Sequence, residues 1–113
     1  MEVISMLEKV LNIRAFYHKL ISGNLANVET PNYKEKDINF QEEFVKRING
    51  SGGDYDIKEK QEDEGIMSID GNSVNIEDQM VKLTENSMLY NSLVQIISKK
   101  FARMKYAISD GRG

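Results

Sequence analysis

Residues 76–108, "IEDQMVKLTENSMLYNSLVQIISKKFARMKYAI", decide the fold of this chain. Ten positions in this stretch follow one another by alternating steps of four and three residues, and all but one are apolar: Ile76, Met80, Leu83, Ser87, Tyr90, Val94, Ile97, Phe101, Met104 and Ile108. That spacing is a heptad repeat and predicts a single long amphipathic helix. A helix of about 32 residues is roughly 48 Å long and cannot cover its own apolar stripe, so the sequence predicts a partner.

The ends of this helix carry the expected signals. Asn75 is placed to cap the first turn, and the acidic Glu77 and Asp78 follow it near the positive end of the helix dipole. Basic side chains collect near the other end, where positive charge is favoured: Lys99, Lys100, Arg103 and Lys105. The pattern predicts that the helix begins at Ile76.

The N-terminal segment supplies the partner. The same alternating spacing joins Val3, Leu7, Val10, Arg14, Tyr17, Ile21, Asn24 and Val28. Further apolar residues widen this face beyond a narrow seam, namely Ile4, Met6, Leu11, Ile13 and Leu20, so it has room for more than one neighbouring helix. Thr30-Pro31 terminates the helix, because the residue before a proline is pushed out of the α region. The sequence thus predicts an all-α fold in which two long amphipathic helices, at the N- and C-termini, pair as a coiled-coil hairpin.

We define the packing seam as the apolar residues of these two patterns. On the N-terminal helix they are Val3, Leu7, Val10, Tyr17, Ile21 and Val28, and on the C-terminal helix Ile76, Met80, Leu83, Tyr90, Val94, Ile97, Phe101, Met104 and Ile108. The expected organisation is residues 1–33 for the first helix with its turn, 34–75 for a short irregular middle, and 76–113 for the heptad helix.

The middle segment is acidic. Residues 29–78 carry fourteen acidic and six basic groups, a net charge of -8, whereas residues 1–28 have a net charge of +1 and residues 79–113 a net charge of +4. "INFQEEFVKRI" at 38–48 predicts a short helix, "NGSGGD" at 49–54 a flexible break, and the following acidic stretch a loosely ordered one. "IMSIDGNSV" at 66–74 predicts a small β-hairpin around Asp70-Gly71, since this dipeptide tolerates a type I′ turn.

Composition excludes several classes of protein. A chain of 113 residues forms one domain or one helical unit that completes its core on a partner. It has no cysteine, so disulfides and thiolate chemistry are excluded, and no uninterrupted apolar run long enough to span a membrane. The start, "MEVISMLEKV", lacks the pattern of a cleavable signal peptide. No basic stripe with interleaved aromatic residues indicates nucleic-acid binding.

The chain offers little for catalysis or metal binding. His18 is the only histidine, and it lies in a helical pattern, where packing or surface roles are the commoner ones. A calcium loop starting at Asp54 would need an oxygen ligand, a glycine and a glutamate where Lys58, Glu59 and Gly65 stand. The sequence therefore predicts no catalytic, cofactor-binding or metal-ligating residue.

The stretch that ends the first helix contains more specific residues than the termination of a helix requires. In "NLANVETPNY", residues 24–33, Asn24 and Asn27 lie three apart and project from nearly the same side of the last turns. In one interpretation they satisfy the final carbonyls of the helix, and Asn32 adopts the left-handed conformation of a turn. In the other the stretch is a docking corner, where Ala26 permits close approach of another backbone and Tyr33 packs its ring while offering a hydroxyl group.

This stretch resembles the signature beside the N-terminal helix of the bacterial flagellar axial proteins, which build the rod and hook. Its usual form ends in Thr-Pro-Gly-Tyr, and Asn32 replaces the glycine here. The matching residues are Asn24, Leu25, Ala26, Asn27, Thr30, Pro31 and Tyr33. The stretches "YKEKDINFQEEF" and residues 70–108 extend the resemblance to about two thirds of the chain, and the short length is similar to proximal rod subunits, since hook and distal rod subunits carry large inserted domains.

The resemblance implies a non-catalytic structural subunit of the proximal rod. Such a subunit polymerises through its terminal helices and helps to transmit torque from motor to hook. The implied partners are further copies of itself, other rod and basal-body proteins, and the flagellar type III export apparatus, which needs no cleavable signal and delivers the chain to the rod outside the cytoplasmic membrane. No nucleic acid, membrane insertion or cofactor is implied. The alternatives are a small secreted or cytoplasmic helical-hairpin adaptor and, with less support, a hydrolase built on the middle segment.

Overall fold

The computed structural model describes residues 2–60 and 74–111. Five elements follow one another along the chain: helix α1 (Val3–Ala26), strand β1 (Lys36–Asp37), helix α2 (Phe40–Ile48), strand β2 (Lys58–Glu59) and helix α3 (Ile76–Gly111). The predicted all-α class, with long terminal helices that pack together around a short middle, is confirmed. None of the helices within these ranges is long and apolar enough to cross a membrane.

Helices α1 and α3 form an antiparallel hairpin of unequal arms. The last turns of α1 contact the start of α3 through Asn24 and Gln79, and Val3 shares a groove with Met104 at the far end. Because α3 has 36 residues and α1 only 24, α3 continues beyond the start of α1. Every side chain at residues 101–109 is exposed. The result is an elongated molecule of 70 × 27 × 18 Å with a bare helical tip.

Local capping chemistry sets the helix boundaries. The Asn75 side chain accepts a hydrogen bond of 3.0 Å from the Asp78 N–H, which confirms it as the N-cap of α3. At the end of α1, the Asn27 side chain donates to the Gly23 carbonyl over 2.8 Å. The helix therefore ends at Ala26, before the Thr30-Pro31 step, and Val28 lies in the turn that follows rather than on the helix.

The middle segment contains the predicted short helix. Asn39 caps α2 by accepting a 3.0 Å hydrogen bond from the Glu42 N–H. Strands β1 and β2 pair antiparallel, with Lys36 opposite Glu59. The hairpin predicted around Asp70-Gly71 lies outside the described residues.

The hydrophobic core lies between α1 and the middle segment. Its buried centre is Ile13, Leu20 and Ile38, and five partly buried aromatic residues surround it: Phe16, Tyr17, Phe40, Phe44 and Tyr55. The Tyr55 ring stacks on Phe16 with 3.8 Å between centroids and 6° between planes. Residues 55–60, the described part of the stretch expected from its charge to be loosely ordered, are thus anchored on α1 by an aromatic contact.

Candidate assembly site

Asn24 is the centre of the corner that closes α1. Its side chain is 1% exposed and makes four hydrogen bonds, which is the full capacity of a carboxamide. The amide group donates to the Lys36 carbonyl over 2.8 Å and to the Gln79 side chain over 2.9 Å. The oxygen accepts from the Lys36 N–H over 2.9 Å and from the Tyr33 hydroxyl over 3.1 Å. One side chain therefore joins α1, the turn, β1 and α3.

The rest of the turn is held by shorter-range contacts. Asn27 closes the helix by its bond to the Gly23 carbonyl, and the Thr30 hydroxyl donates to the Asn27 oxygen over 3.0 Å. Asn32 has a φ of 63°, the left-handed conformation expected for the position where the signature usually has glycine. Tyr33 then turns back toward Asn24, with the ammonium of Lys36 4.8 Å from its ring centroid.

The seven signature residues divide between the inside and the outside of this corner. Asn24 is buried, and Leu25, Asn27 and Tyr33 are half-buried. Ala26, Thr30 and Pro31 are exposed. Asn24, Asn27 and Tyr33 make hydrogen bonds within the chain, as the first interpretation expects, and the exposed Thr30 also donates to Asn27. The docking interpretation stays a prediction.

A charged layer lies beside the corner. The Lys82 ammonium on α3 is 3.2 Å from Asp78, 3.8 Å from Asp37 and 3.9 Å from the buried Glu35. Burial opposes the charge on Lys82, but the hydrogen bond that its ammonium donates to Asp78 and the nearby negative charge outweigh burial, so the pKa of Lys82 is raised. Burial also raises the pKa of Tyr17, helped by Asp37. These contacts fix β1 and the start of α3 to each other.

A second polar contact crosses the hairpin one heptad along α3. The buried side chain of Asn86 donates to the Arg14 carbonyl over 2.9 Å and accepts from the Arg14 guanidinium over 3.3 Å. That guanidinium also lies over the Phe40 ring at 4.2 Å from its centroid. Burial lowers the pKa of Arg14 from its ordinary value. Arg14 is therefore a link between α1, α2 and α3.

A buried carboxylate holds the end of the middle segment. Glu43 is 1% exposed, lies 2.8 Å from Arg47 and 3.3 Å from Lys46, and accepts a 3.1 Å hydrogen bond from the Asp56 N–H. Burial by itself raises its pKa, but these three donors outweigh burial and lower the pKa below its ordinary value. The Arg47 guanidinium also stacks on the Tyr55 ring at 3.8 Å. This cluster holds Tyr55 between Arg47 and the Phe16 ring of α1.

The packing seam divides into covered and uncovered parts. Within the chain, Ile21 and Ile97 are buried, and Leu7, Val10, Tyr17, Val28, Leu83 and Tyr90 are half-buried. The remainder is exposed, namely Val3, Ile76, Met80, Val94, Phe101, Met104 and Ile108. The hairpin thus uses the seam around its centre and leaves both ends of the α3 stripe in solvent.

The face of α3 that meets α1 is rotated slightly from the predicted seam. It runs through Gln79, Leu83, Asn86, Tyr90, Leu93 and Ile97, with the same alternating steps of four and three residues. Sequence reasoning missed Gln79 and Asn86, because an apolar pattern gives no weight to amides. The available signal was that the two amides are seven residues apart, each one position before a residue of the heptad pattern, Met80 and Ser87.

His18 is exposed and lines a cleft of about 340 Å³ between α1 and α3, together with Ala15 and Tyr90. Across residues 2–60 and 74–111, no three histidine, cysteine or acidic side chains are grouped so as to hold a metal ion.

No protein-family model matches the chain. Along nearly its whole length, however, it is similar to curated proteins named "Flagellar basal body rod protein FlgB". The protein from Bacillus subtilis (strain 168) is 29% identical over 96% of this chain and 95% of its own length. The one from Yersinia ruckeri is 26% identical over 92% and 91%, and the one from Aquifex aeolicus (strain VF5) is 27% identical over 81% of each. The predicted resemblance to flagellar axial proteins is confirmed.

Proposed function

We propose that this chain, a homologue of the flagellar basal body rod proteins named FlgB, is a structural subunit of the proximal rod that polymerises through its terminal helices and helps to transmit torque from motor to hook. The observation that carries the proposal is the uncovered part of the packing seam. A hairpin that leaves a heptad stripe in solvent at both ends of its longer helix is suited to complete its core on other subunits. We assign the chain no catalytic activity.

The energetics of the exposed stripe favour assembly. Phe101, Met104 and Ile108 follow one another at heptad spacing on the exposed end of α3, which lies beside the start of α1 and continues past it. A single helix has little stability in water without a partner for its apolar face. Covering each of these side chains contributes on the order of 1 kcal/mol to the free energy of association, so several together offset the entropy cost of ordering the tip. Contacts of one patch on a different patch of the next subunit build open helical assemblies.

The corner gives the second contact. Ala26, Thr30 and Pro31 form its exposed outer face, and we assign to them the contact with a neighbouring subunit. Asn24 and Tyr33 keep that face in shape from inside the chain, since Asn24 is hydrogen-bonded to β1 and α3 and Tyr33 donates to Asn24. In this account the signature acts as a whole: its buried members position its exposed members.

The partners follow from this role. They are further copies of the chain, other rod and basal-body proteins, and the flagellar type III export apparatus, which passes the chain to the rod outside the cytoplasmic membrane without a cleavable signal. The hairpin inserts into no membrane and binds no nucleic acid in this account.

Mass spectrometry of purified flagellar basal bodies tests the proposal. Cells that carry the chain are fractionated to retain the rod after hook and filament have been removed. We expect the chain in that fraction, at an abundance comparable with other rod subunits. Intact basal bodies that lack the chain, with the chain found only in cytoplasm or culture medium, contradict the proposal and favour the helical-hairpin adaptor.

A further inference from the structure

We propose that two buried polar contacts, Asn24 with Gln79 and Arg14 with Asn86, set the register of α1 against α3 and thereby the length of α3 that extends beyond α1. The importance of that extension rests on the proposed function, in which the exposed end of α3 is the assembly surface. The register itself is a property of the single chain and is measured without the rod.

The geometry places both contacts inside the hairpin. Gln79 and Asn86 are each 1% exposed and lie seven residues apart, so they occupy equivalent positions of successive heptads on α3. Their partners on α1 meet them through hydrogen bonds of 2.9 to 3.3 Å. Asn24 also donates to the Lys36 carbonyl of β1 over 2.8 Å. No buried side-chain nitrogen or oxygen of the described chain lacks a hydrogen bond. The polar contacts are therefore complete in this register.

The apolar residues of α3 select a register only weakly. Sliding α3 by one heptad moves it about 10 Å along α1. The slide in one direction puts Tyr90 in the place of Leu83, Ile97 in the place of Tyr90 and Met104 in the place of Ile97. These three exchanges keep a large apolar side chain, whereas the half-buried Leu93 is replaced by Lys100, so most of the stripe packs in the shifted arrangement as well. A uniform heptad repeat has this ambiguity in general.

The polar contacts remove the ambiguity. In the slide just described, Leu93 replaces Asn86 beside Arg14, and the half-buried guanidinium loses its side-chain acceptor. In the opposite slide, Gln79 moves away from Asn24, and one buried amide hydrogen loses its acceptor. Each shifted register removes the acceptor of a buried or half-buried donor, whereas the observed register pairs both donors. A single buried asparagine fixes register in coiled coils by the same physics.

The register decides what a neighbouring subunit meets. In the observed arrangement the exposed tip begins near Phe101 and carries the apolar Met104 and Ile108. A slide of one heptad lengthens or shortens the tip by about 10 Å. It then covers Phe101 and Met104 with α1 or uncovers Ile97 and Leu93. The residues of the two polar contacts thus position the assembly surface.

Spin-label distances on the full-length chain measure the register directly. Since the chain has no cysteine, Ser22→Cys and Ser98→Cys provide two unique labelling sites, both exposed and on different helices. The test variant combines Arg14→Met, Gln79→Met and Asn86→Leu, which leaves Asn24 and its bonds to Lys36 in place. The matched control combines Lys19→Met, Asn91→Leu and Gln95→Met, which also removes one cation from α1 and two amides from α3, at exposed positions.

Pulsed electron double resonance should give one distance for the parent and for the control. In the test variant we expect an additional population whose distance differs by about 10 Å, one heptad of helix rise. The variant with Arg14→Met and Asn86→Leu alone repeats the test with less perturbation. A single parental distance in both variants overturns the proposal, as does a parent that already populates two registers. Because the distances are measured on the purified chain, absence of the chain from basal bodies contradicts the proposed function and leaves this result standing.

Discussion

The side chain of Asn24 donates to the side chain of Gln79 over 2.9 Å, although 55 residues separate the two along the chain. This bond joins the last full turn of α1 to the first turn of α3. The same Asn24 carboxamide also holds Lys36 and Tyr33, so the closing of the hairpin and the shape of the signature turn depend on one buried group. A change at Asn24 is therefore felt at both places.

Asn24→Ala should destabilise the chain by about 3 kcal/mol, because it strips hydrogen bonds from Gln79 and from both backbone groups of Lys36 in a buried place. Thermal and urea unfolding followed by circular dichroism measure the change. Asn12→Ala is the control, since Asn12 is an exposed asparagine of the same helix, and we expect a change within about 0.5 kcal/mol there. Equal losses in the two variants would show that the network around Asn24 contributes no stability.

Asn32 offers a test of the turn by itself. With a φ of 63°, it occupies a conformation that glycine adopts freely and that a side chain with a Cβ resists. We expect Asn32→Gly to leave the free energy of unfolding unchanged or slightly raised, and Asn32→Ala to lower it by about 1 kcal/mol. The comparison of melting temperatures among the three chains checks this order. An alanine variant as stable as the glycine variant contradicts a left-handed turn at this position.

The helices and their caps were predictable from the sequence where they depend on residues close together in the chain. Heptad spacing gave the two terminal helices, and the asparagine at position 75 gave the start of α3, because both depend on residues near one another in sequence. The left-handed Asn32 was predictable for the same reason. The end of α1 was predicted too late, since Asn27 caps the Gly23 carbonyl before the Thr30-Pro31 step takes effect.

The tertiary contacts of the middle segment were not predictable from the sequence alone. The stack of Tyr55 on Phe16 joins residues 39 positions apart, and nothing in the composition of the acidic stretch indicates it. Nothing in the sequence distinguishes Glu43 from its neighbour Glu42, and only the fold brings Arg47, Lys46 and the Asp56 N–H around it. The contacts of Gln79 and Asn86 could not be predicted, because the register of the hairpin decides which residues of α1 they meet.

The buried Glu43 should make part of the stability depend on pH. Its donors lower its pKa below the ordinary value of 4.5, so its contribution is complete above that value and is lost as the pH falls through the lowered pKa. Glu43→Gln should cost about 1–3 kcal/mol at pH 7, because it removes the charge that Arg47 and Lys46 face. The difference from the parent should shrink as the pH is lowered below 4.5.

Unfolding of both chains by urea at a series of pH values measures this dependence. Glu42→Gln is the control, because the exposed Glu42 pairs with the exposed Lys58 over 3.4 Å, a contact worth at most about 1 kcal/mol. A cost of Glu43→Gln that stays constant from pH 7 to acid contradicts the lowered pKa. The same constant cost would assign the role of Glu43 to packing.

Two neighbouring seam residues should separate folding from assembly. Ile97 is 8% exposed and faces α1, so Ile97→Asp buries a charge and should destabilise the isolated chain by more than about 3 kcal/mol. Phe101 is 49% exposed on the tip, so Phe101→Asp should change the free energy of unfolding by less than about 1 kcal/mol yet remove the chain from purified basal bodies. Gln95→Asp adds the same charge at an exposed position away from α1 and should preserve both stability and incorporation. A carboxylate at position 101 would be unpaired and poorly solvated in an apolar contact between subunits. A Phe101→Asp chain that enters basal bodies at the parental level, in normally motile cells, therefore contradicts assembly through the tip.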